Sequence, residues 1–226
     1  MKLIIDENYA GLTKNGYWYE LKELTHLSGD VEIKIPLTVS GSLEVSGSLT
    51  VSEYLTVGES LEVGEYLRVS GSLTVSGSLR VVGSLNVSGS LRVGGSLNVT
   101  GSLDVGEYLR VGEYLRVGEY LRVGGSLEVG EYLRVCEALE VGEWISINGV
   151  ESSVWLGLNL PYYTQIMTNH IKIGCKLRTV REWSRLTTEQ AVDMGGKDAL
   201  LFMRDYLPMI LSMQKSLLKG RTDEKD

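Results

Sequence analysis

The sequence has little phenylalanine, proline, cysteine or histidine: one Phe, three Pro, two Cys and two His in 226 residues. Two cysteines cannot make a disulfide framework, and a chain of this length does not need one. Zinc takes three or four ligands, more than this His and Cys inventory places at any metal spacing, so no metal or other cofactor is expected. No run reaches 18 apolar residues, which excludes a membrane-spanning helix. The opening Met1-Lys2-Leu3-Ile4-Ile5-Asp6-Glu7 lacks the apolar stretch of a secretion signal. A cytoplasmic, reducing setting is expected, with no membrane partner. Basic residues are also few, 22 against 29 acidic, for a formal charge of −7. That balance argues against nucleic acid or anionic membrane as general partners. The 27 glycines follow no phosphate-binding spacing.

What is present is a repeat. From Leu37 to Trp144 the chain consists of 18 uninterrupted hexads, Leu-x-Val-x-(Gly/Glu)-(Ser/Tyr), with Leu in every first slot and Val in every third. Ile145 and Ile147 continue the pattern, and Val31, Ile33 and Ile35 resemble a decayed turn before it. Slots one and three point to one face of a short strand and slots two and four to the other. Slots five and six interrupt the alternation and form a corner. Apolar residues at a strict six exclude an amphipathic helix, and the glycine period is not the three of collagen. A single hexad cannot bury its Leu and Val, but stacked hexads can. The fold class that follows is mainly β: a parallel β-solenoid of hexapeptide repeats over 37–150, with an N-terminal β cap at 1–36 and a C-terminal α-helical module at 151–226. A β-sandwich would need longer strands and varied turns.

Two coil sizes compete. Twelve residues per coil match the recurrence of Arg68, Arg80 and Arg92 and of Tyr108, Tyr120, Tyr132 and Trp144. Eighteen place Glu62 over Arg80, Asp104 over Arg122 over Glu140, and Arg110 over Glu128. Opposite charges one ladder step apart help and like charges cost, so charge pairing favours 18.

Function is sought on the outward slots, because packing fixes the inward ones. Residues 37–102 carry mostly Gly-Ser corners. In 103–144 the corners become Glu-Tyr: Glu107-Tyr108, Glu113-Tyr114, Glu119-Tyr120 and Glu131-Tyr132, then Glu137-Ala138 and Glu143-Trp144. Two readings stand. In one the rings stack along the axis and the following Arg neutralises each Glu. In the other Tyr108, Glu113, Tyr114, Glu119, Tyr120, Tyr132 and Trp144 form an acidic-aromatic edge for a protein partner, since Tyr and Trp give large contact area at low entropic cost.

The flanks differ from the hexads. In 1–36, Asn15-Gly16 marks a turn between short strands, beside the aromatic patch Tyr9, Tyr17, Trp18 and Tyr19, and Leu21, Leu24 and Leu27 lead into the repeat. The economical role is a cap over an open solenoid end. His26 has no second ligand nearby. After Val150 the balance turns basic, and Trp155, Leu156, Leu158 and Leu160 precede Pro161. Ile171-Lys172-Ile173 reads as a strand. Thr179 is expected to cap a helix from Val180 to Leu186, and Thr187 to Gln190 has capping-box spacing before a helix ending at Gly195-Gly196. A last helix is expected from Lys197 to Leu218, kinked or divided by Pro208, with a disordered tail from Lys219. Leu200, Met203, Leu207, Ile210 and Leu217 or Leu218 mark its apolar face. That face caps the rod or pairs two chains, with Leu200, Met203, Leu207 and Ile210 as the dimerisation residues.

His170 and Cys175 invite a catalytic reading, but a Cys-His dyad requires contact geometry, and a buried cysteine with a structural histidine is the simpler expectation. Cys136 occupies an outward slot and should be exposed. Left-handed hexapeptide acyltransferases need a catalytic His and an extruded loop; residues 37–144 contain neither. The expectation is that this is not an enzyme.

The Leu-x-Val-x-Gly coils resemble the β-helical core of bactofilins, bacterial cytoskeletal proteins that polymerise. The Val-Gly-Gly-Ser-Leu and Val-Gly-Glu-Tyr-Leu coils, with His170-Ile-Lys-Ile-Gly-Cys175, Glu182-Trp183 and a C-terminal helix, resemble repeat proteins of phages and prophages. In that pattern a His-Thr pair follows the Cys; here Arg178-Thr179 stands instead, which removes any His-Cys-His chemistry. The second resemblance implies a phage or mobile-element protein that binds and inhibits a host protein complex by surface occlusion, such as an anti-CRISPR or other anti-defence inhibitor. The first implies the alternative, a structural, self-assembling β-helical scaffold.

Overall fold

The computed structural model describes residues 2–22, 26–152, 154–158 and 160–222. The chain forms two compact units, Met1–Gly149 and Val150–Asp226.

In the first unit a three-residue strand recurs at every sixth residue, as in Leu37–Val39, Leu43–Val45 and Leu49–Val51. Each strand pairs in parallel with the strand 18 residues on, Leu43 with Leu61 and Leu61 with Leu79. Three hexads therefore close one coil, and three parallel sheets run along the solenoid. We call the faces A, B and C, after the strands beginning at Leu49, Leu55 and Leu61 respectively. The coil size favoured by charge is the one observed. Glu62 pairs in register with Arg80, Arg110 with Glu128, and Arg122 with both Asp104 and Glu140.

The first and third slots of each hexad are the core. From Leu37 to Leu139 every such Leu and Val is exposed by 2% or less. Since no side chain in this core has a polar atom, the backbone must satisfy itself, and it does so along the axis. Gly64 N–H donates to the Val45 carbonyl at 2.8 Å, and Leu43 N–H to that of Ser60 at 2.9 Å. Successive coils rise by about 4.8 Å.

The pairing begins before the perfect hexads. Tyr19 lies beside Leu37, His26 beside Glu44 and Val31 beside Leu49, each at the same step of 18. The residues that precede the repeat thus supply a rung to each sheet. Two further strands lie outside that step: Leu3–Ile5 pairs in parallel with Val31–Ile33, and Thr13–Asn15 forms a hairpin with Trp18–Leu21. Its turn uses Gly16 at φ +65°, as the Asn-Gly pair predicts.

The second unit holds a four-stranded antiparallel sheet, Val154–Leu158, Thr164–Met167, His170–Ile173 and Lys176–Thr179, in that spatial order. Sequence reading finds only the third strand. Helix α1, Val180–Ser184, is capped by Thr179 in a full capping box with Glu182, as expected, but ends two residues early. Helix α2 spans Thr188–Thr222 and is interrupted only at Gly195 and Gly196, where the chain leaves helical geometry. The Thr187–Gln190 capping box opens it, with reciprocal bonds of 3.1 and 3.2 Å.

Pro208 does not divide α2, one of the two outcomes expected of it. The proline removes one N–H and so releases the Arg204 carbonyl, but both residues are exposed and water can take that bond. The helix also continues to Thr222 rather than stopping at Leu218. Leu24, the side chains of Trp155, Leu156 and Leu217, and residues 223–226 lie outside the described residues. The core of this unit is Ile166, Ile171, Ile173, Trp183, Ala191, Phe202, Met203 and Ile210. Trp183 anchors it and donates its indole N–H to the Ile171 carbonyl at 2.7 Å. No helix among the described residues is long and apolar enough to cross a membrane.

Candidate interaction surface

With 18 residues per coil the corners fall on three edges. Glu107-Tyr108 and Glu143-Trp144 lie between faces A and B, separated by Gly125-Ser126. Glu113-Tyr114 and Glu131-Tyr132 lie between B and C, one coil apart, and Glu119-Tyr120 lies between C and A. The seven residues of the sequence-derived edge are therefore distributed around the solenoid. Only Tyr114 and Tyr132 stand in neighbouring rungs, directly paired. Tyr114 and Tyr120 are each 43% exposed and Trp144 37%, while Tyr108 and Tyr132 are half-buried.

Six of the corner glutamates bond to a serine rather than to the Arg that follows. Ser42, Ser48, Ser90, Ser96, Ser102 and Ser126 donate their hydroxyls to Glu59, Glu65, Glu107, Glu113, Glu119 and Glu143, at 2.5 to 2.9 Å. In every pair the serine ends one corner and the glutamate begins the corner 17 residues later. These are charge-assisted bonds that tie successive coils together at the edge. Corner serine Oγ atoms also accept the backbone N–H of the serine above, whether glycine replaces that Glu, as from Ser90 to Ser72 at 3.0 Å, or not, as from Ser60 to Ser42 at 3.3 Å.

The arginines pair along the faces. Arg80 lies 3.6 Å from Glu62, Arg110 3.6 Å from Glu128, and Arg122 3.7 Å from Glu140. All three arginines are more than half exposed, so these pairs are weak. Two tyrosines join this network. Tyr108 donates its hydroxyl to Glu128, and burial together with that carboxylate pushes its pKa up to about 12. Tyr114 donates to Glu131, which also raises its pKa. The two hydroxyls bind carboxylates of the solenoid itself, and what the corners offer outward is ring surface.

In the second unit the four residues assigned to dimerisation belong to one face of α2. Met203 and Ile210 are in the unit's own core, and Leu200 and Leu207 pack half-buried against it. Leu201, Met209 and Leu218 remain exposed.

His170 and Cys175 do not meet. His170 begins a strand and Cys175 lies in the turn after it, beyond about 10 Å of strand. Cys175 is half-buried rather than buried, and Cys136 is exposed as its slot implies. The partner of His170 is Ser152, whose Oγ lies 2.7 Å from Nδ1 and accepts the Asn169 N–H at 3.1 Å. Sequence reading misses Ser152, because a hydrogen bond spanning 18 residues has no local signal. Burial holds the His170 pKa below the ordinary value, with Glu182 opposing. Glu182 is itself pushed up by burial, but bonds from the Thr179 hydroxyl and N–H outweigh this and hold its carboxyl low. Lys172 is 1% exposed, with its ammonium donating to the Gly174 carbonyl at 2.7 Å and lying over the Tyr163 ring. Among the described residues no group of three or more His, Cys, Asp or Glu side chains is placed to hold a metal ion.

The class is thus a parallel β-solenoid, followed in the chain by a four-stranded sheet and helices. Comparison with protein-family models, curated proteins and solved structures gives no match to this chain.

Proposed function

We propose that the protein is a structural scaffold, a rigid β-solenoid that associates with copies of itself and carries out no catalysis. The observation behind this reading is the even treatment of all three edges, each stitched by Ser-to-Glu bonds between coils. Such a surface stiffens a rod and favours no single side. Self-association uses the outer side of α2, where Leu201, Met209 and Leu218 stay exposed, rather than the side already committed to the core. Absolute mass from light scattering after size exclusion, measured across a concentration series, tests it. Mass twice the 24.9 kDa chain mass or rising with concentration supports the scaffold, and rising mass should appear as filaments by electron microscopy. A constant single-chain mass at every concentration rejects it.

A second reading is an inhibitor of a host protein complex, encoded by a phage or mobile element and acting in the host cytoplasm. It is favoured by the exposed rings of Tyr114 and Tyr120 beside the exposed Glu113 and Glu119. A partner captured from host lysate by the native chain, and lost when Tyr108, Tyr114 and Tyr120 become Ser, would support it. Capture that survives those substitutions would count against this surface.

A further inference from the structure

The corner tyrosines leave unexplained a second group of exposed rings near the N-terminus. Tyr17 is 64% exposed, and Trp18 and Tyr54 are each 42% exposed. They are not scattered. Trp18 packs on Tyr54 with ring centroids 5.8 Å apart, and Tyr17 meets Trp18 edge-on at 6.0 Å. The 18-residue register builds this ledge. Tyr19 pairs with Leu37 and Leu37 with Leu55, so Trp18, Pro36 and Tyr54 share one corner column, with the proline buried between the two rings' positions.

Beside the ledge runs an open groove of about 490 Å³, lined by Asn15, Trp18, Tyr19, Glu20, Thr38 and Thr56. That volume lies within the ~300–1,000 Å³ of small-ligand sites. Glu20, Thr38 and Thr56 stand in successive rungs of face B, about 4.8 Å apart. Glu20 is fixed by the Ser40 hydroxyl at 2.9 Å.

We propose that this groove binds a neutral, extended, β-linked glycan. A pyranose ring has an apolar C–H face and an equatorial rim of hydroxyls. The ledge supplies rings for the first. Threonine hydroxyls and the Asn15 amide, which both donate and accept, supply partners for the second, and Glu20 accepts. One ladder step is close to the length of one sugar ring in an extended chain, so Thr38 and Thr56 can meet consecutive sugars. The lining carries no cation, and the nearby Lys14 ammonium lies over the Tyr19 ring at 5.3 Å. With Glu20 as the charged residue of the lining, a phosphorylated or sulfated chain is disfavoured. A peptide strand would need free backbone groups, and the rungs at Glu20, Thr38 and Thr56 use theirs between coils.

The test is calorimetric titration of the full chain with cellohexaose and chitohexaose, with maltohexaose as the α-linked control and polygalacturonate as the anionic one. Binding of at least one β-linked hexasaccharide is expected, with a dissociation constant on the order of 1 mM or tighter. Trp18→Ala should weaken it at least tenfold. Thr56→Arg fills the groove from an outward slot without entering the Leu/Val core, and should abolish it even if Trp18→Ala proves unstable. Trp144→Ala, on a corner several coils away, should leave it unchanged. No binding of either β-linked hexasaccharide at about 10 mM, affinity unaltered by Thr56→Arg, or a preference for the α-linked or anionic chain would each overturn the proposal.

Discussion

The two units solve the burial of polar groups in different ways. In the solenoid the buried side chains are almost all Leu and Val, and among the described residues its few buried polar ones are Ser102, Ser126 and Ser146. The second unit buries Ser152, Thr164, Gln165, His170, Lys172 and Gln214. A repeat can leave polar satisfaction to the backbone ladder, because every coil meets a copy of itself. A non-repeating sheet with helices must satisfy each buried polar atom individually, as Gln214 does by donating to the Thr168 carbonyl at 2.7 Å. The solenoid is therefore specified by spacing and the second unit by particular residues.

This difference sets how each unit should break. The largest loss is expected from Trp183→Ala, which removes both the centre of the second core and a donor to Ile171; chemical denaturation should show a cost of about 3–5 kcal/mol. The solenoid should respond to backbone crowding instead. A Cβ on Gly112 would lie 1.9 Å from the Gly94 carbonyl oxygen in the coil below, whereas one on Gly41 would meet nothing within 4 Å. Gly112→Ala should cost about 1–3 kcal/mol and Gly41→Ala within about 0.5 kcal/mol; equal costs would mean the coils are spaced more loosely than described. Thr179→Ala, which deletes the α1 cap, should cost about 1 kcal/mol, read from the unfolding midpoint.

A smaller effect separates the units by pH. The folded His170 pKa lies below the ordinary value near 6.5. The unfolded chain then binds the extra proton first, so this contribution is intact above about pH 6.5 and is lost as pH falls through the folded value. Thermal unfolding from pH 8 to pH 5 should show a downward shift that His170→Gln flattens; an unchanged slope would remove His170 as its source. A similarly small change is expected from Ser102→Ala. It breaks a single edge stitch to Glu119, and should lower stability by less than about 1 kcal/mol.

The solenoid was legible because its slots are strict, and the coil size because Glu62 over Arg80 and Arg110 over Glu128 distinguish 18 from 12. Of the early rungs, Val31–Ile33 showed its slots, whereas those at Tyr19 and His26 did not, because these residues occupy positions where the next coil carries Leu and Glu, although the step of 18 persists. The Ser-to-Glu stitches were present in the sequence as a spacing of 17, and a search for hydroxyls at that distance from each corner Glu would have found them. The tyrosines fall on separate edges because consecutive hexads lie on consecutive faces. In the second unit, Thr164–Met167 is buried at all four positions and so shows no alternation, and its neighbours run only five and four residues. The fold of α1 was readable from its cap alone.

The step of 18 also makes the solenoid a counting device. Gain or loss of 18 residues changes its length by one rung and leaves every later side chain on its own face. Gain or loss of six keeps the Leu/Val core intact, yet carries all later residues a third of a turn around the axis. Such a change would preserve the stacking while moving Tyr114 and Tyr132 to another edge. Length and angular phase are thus written separately in the same repeat, one in eighteens and the other in sixes.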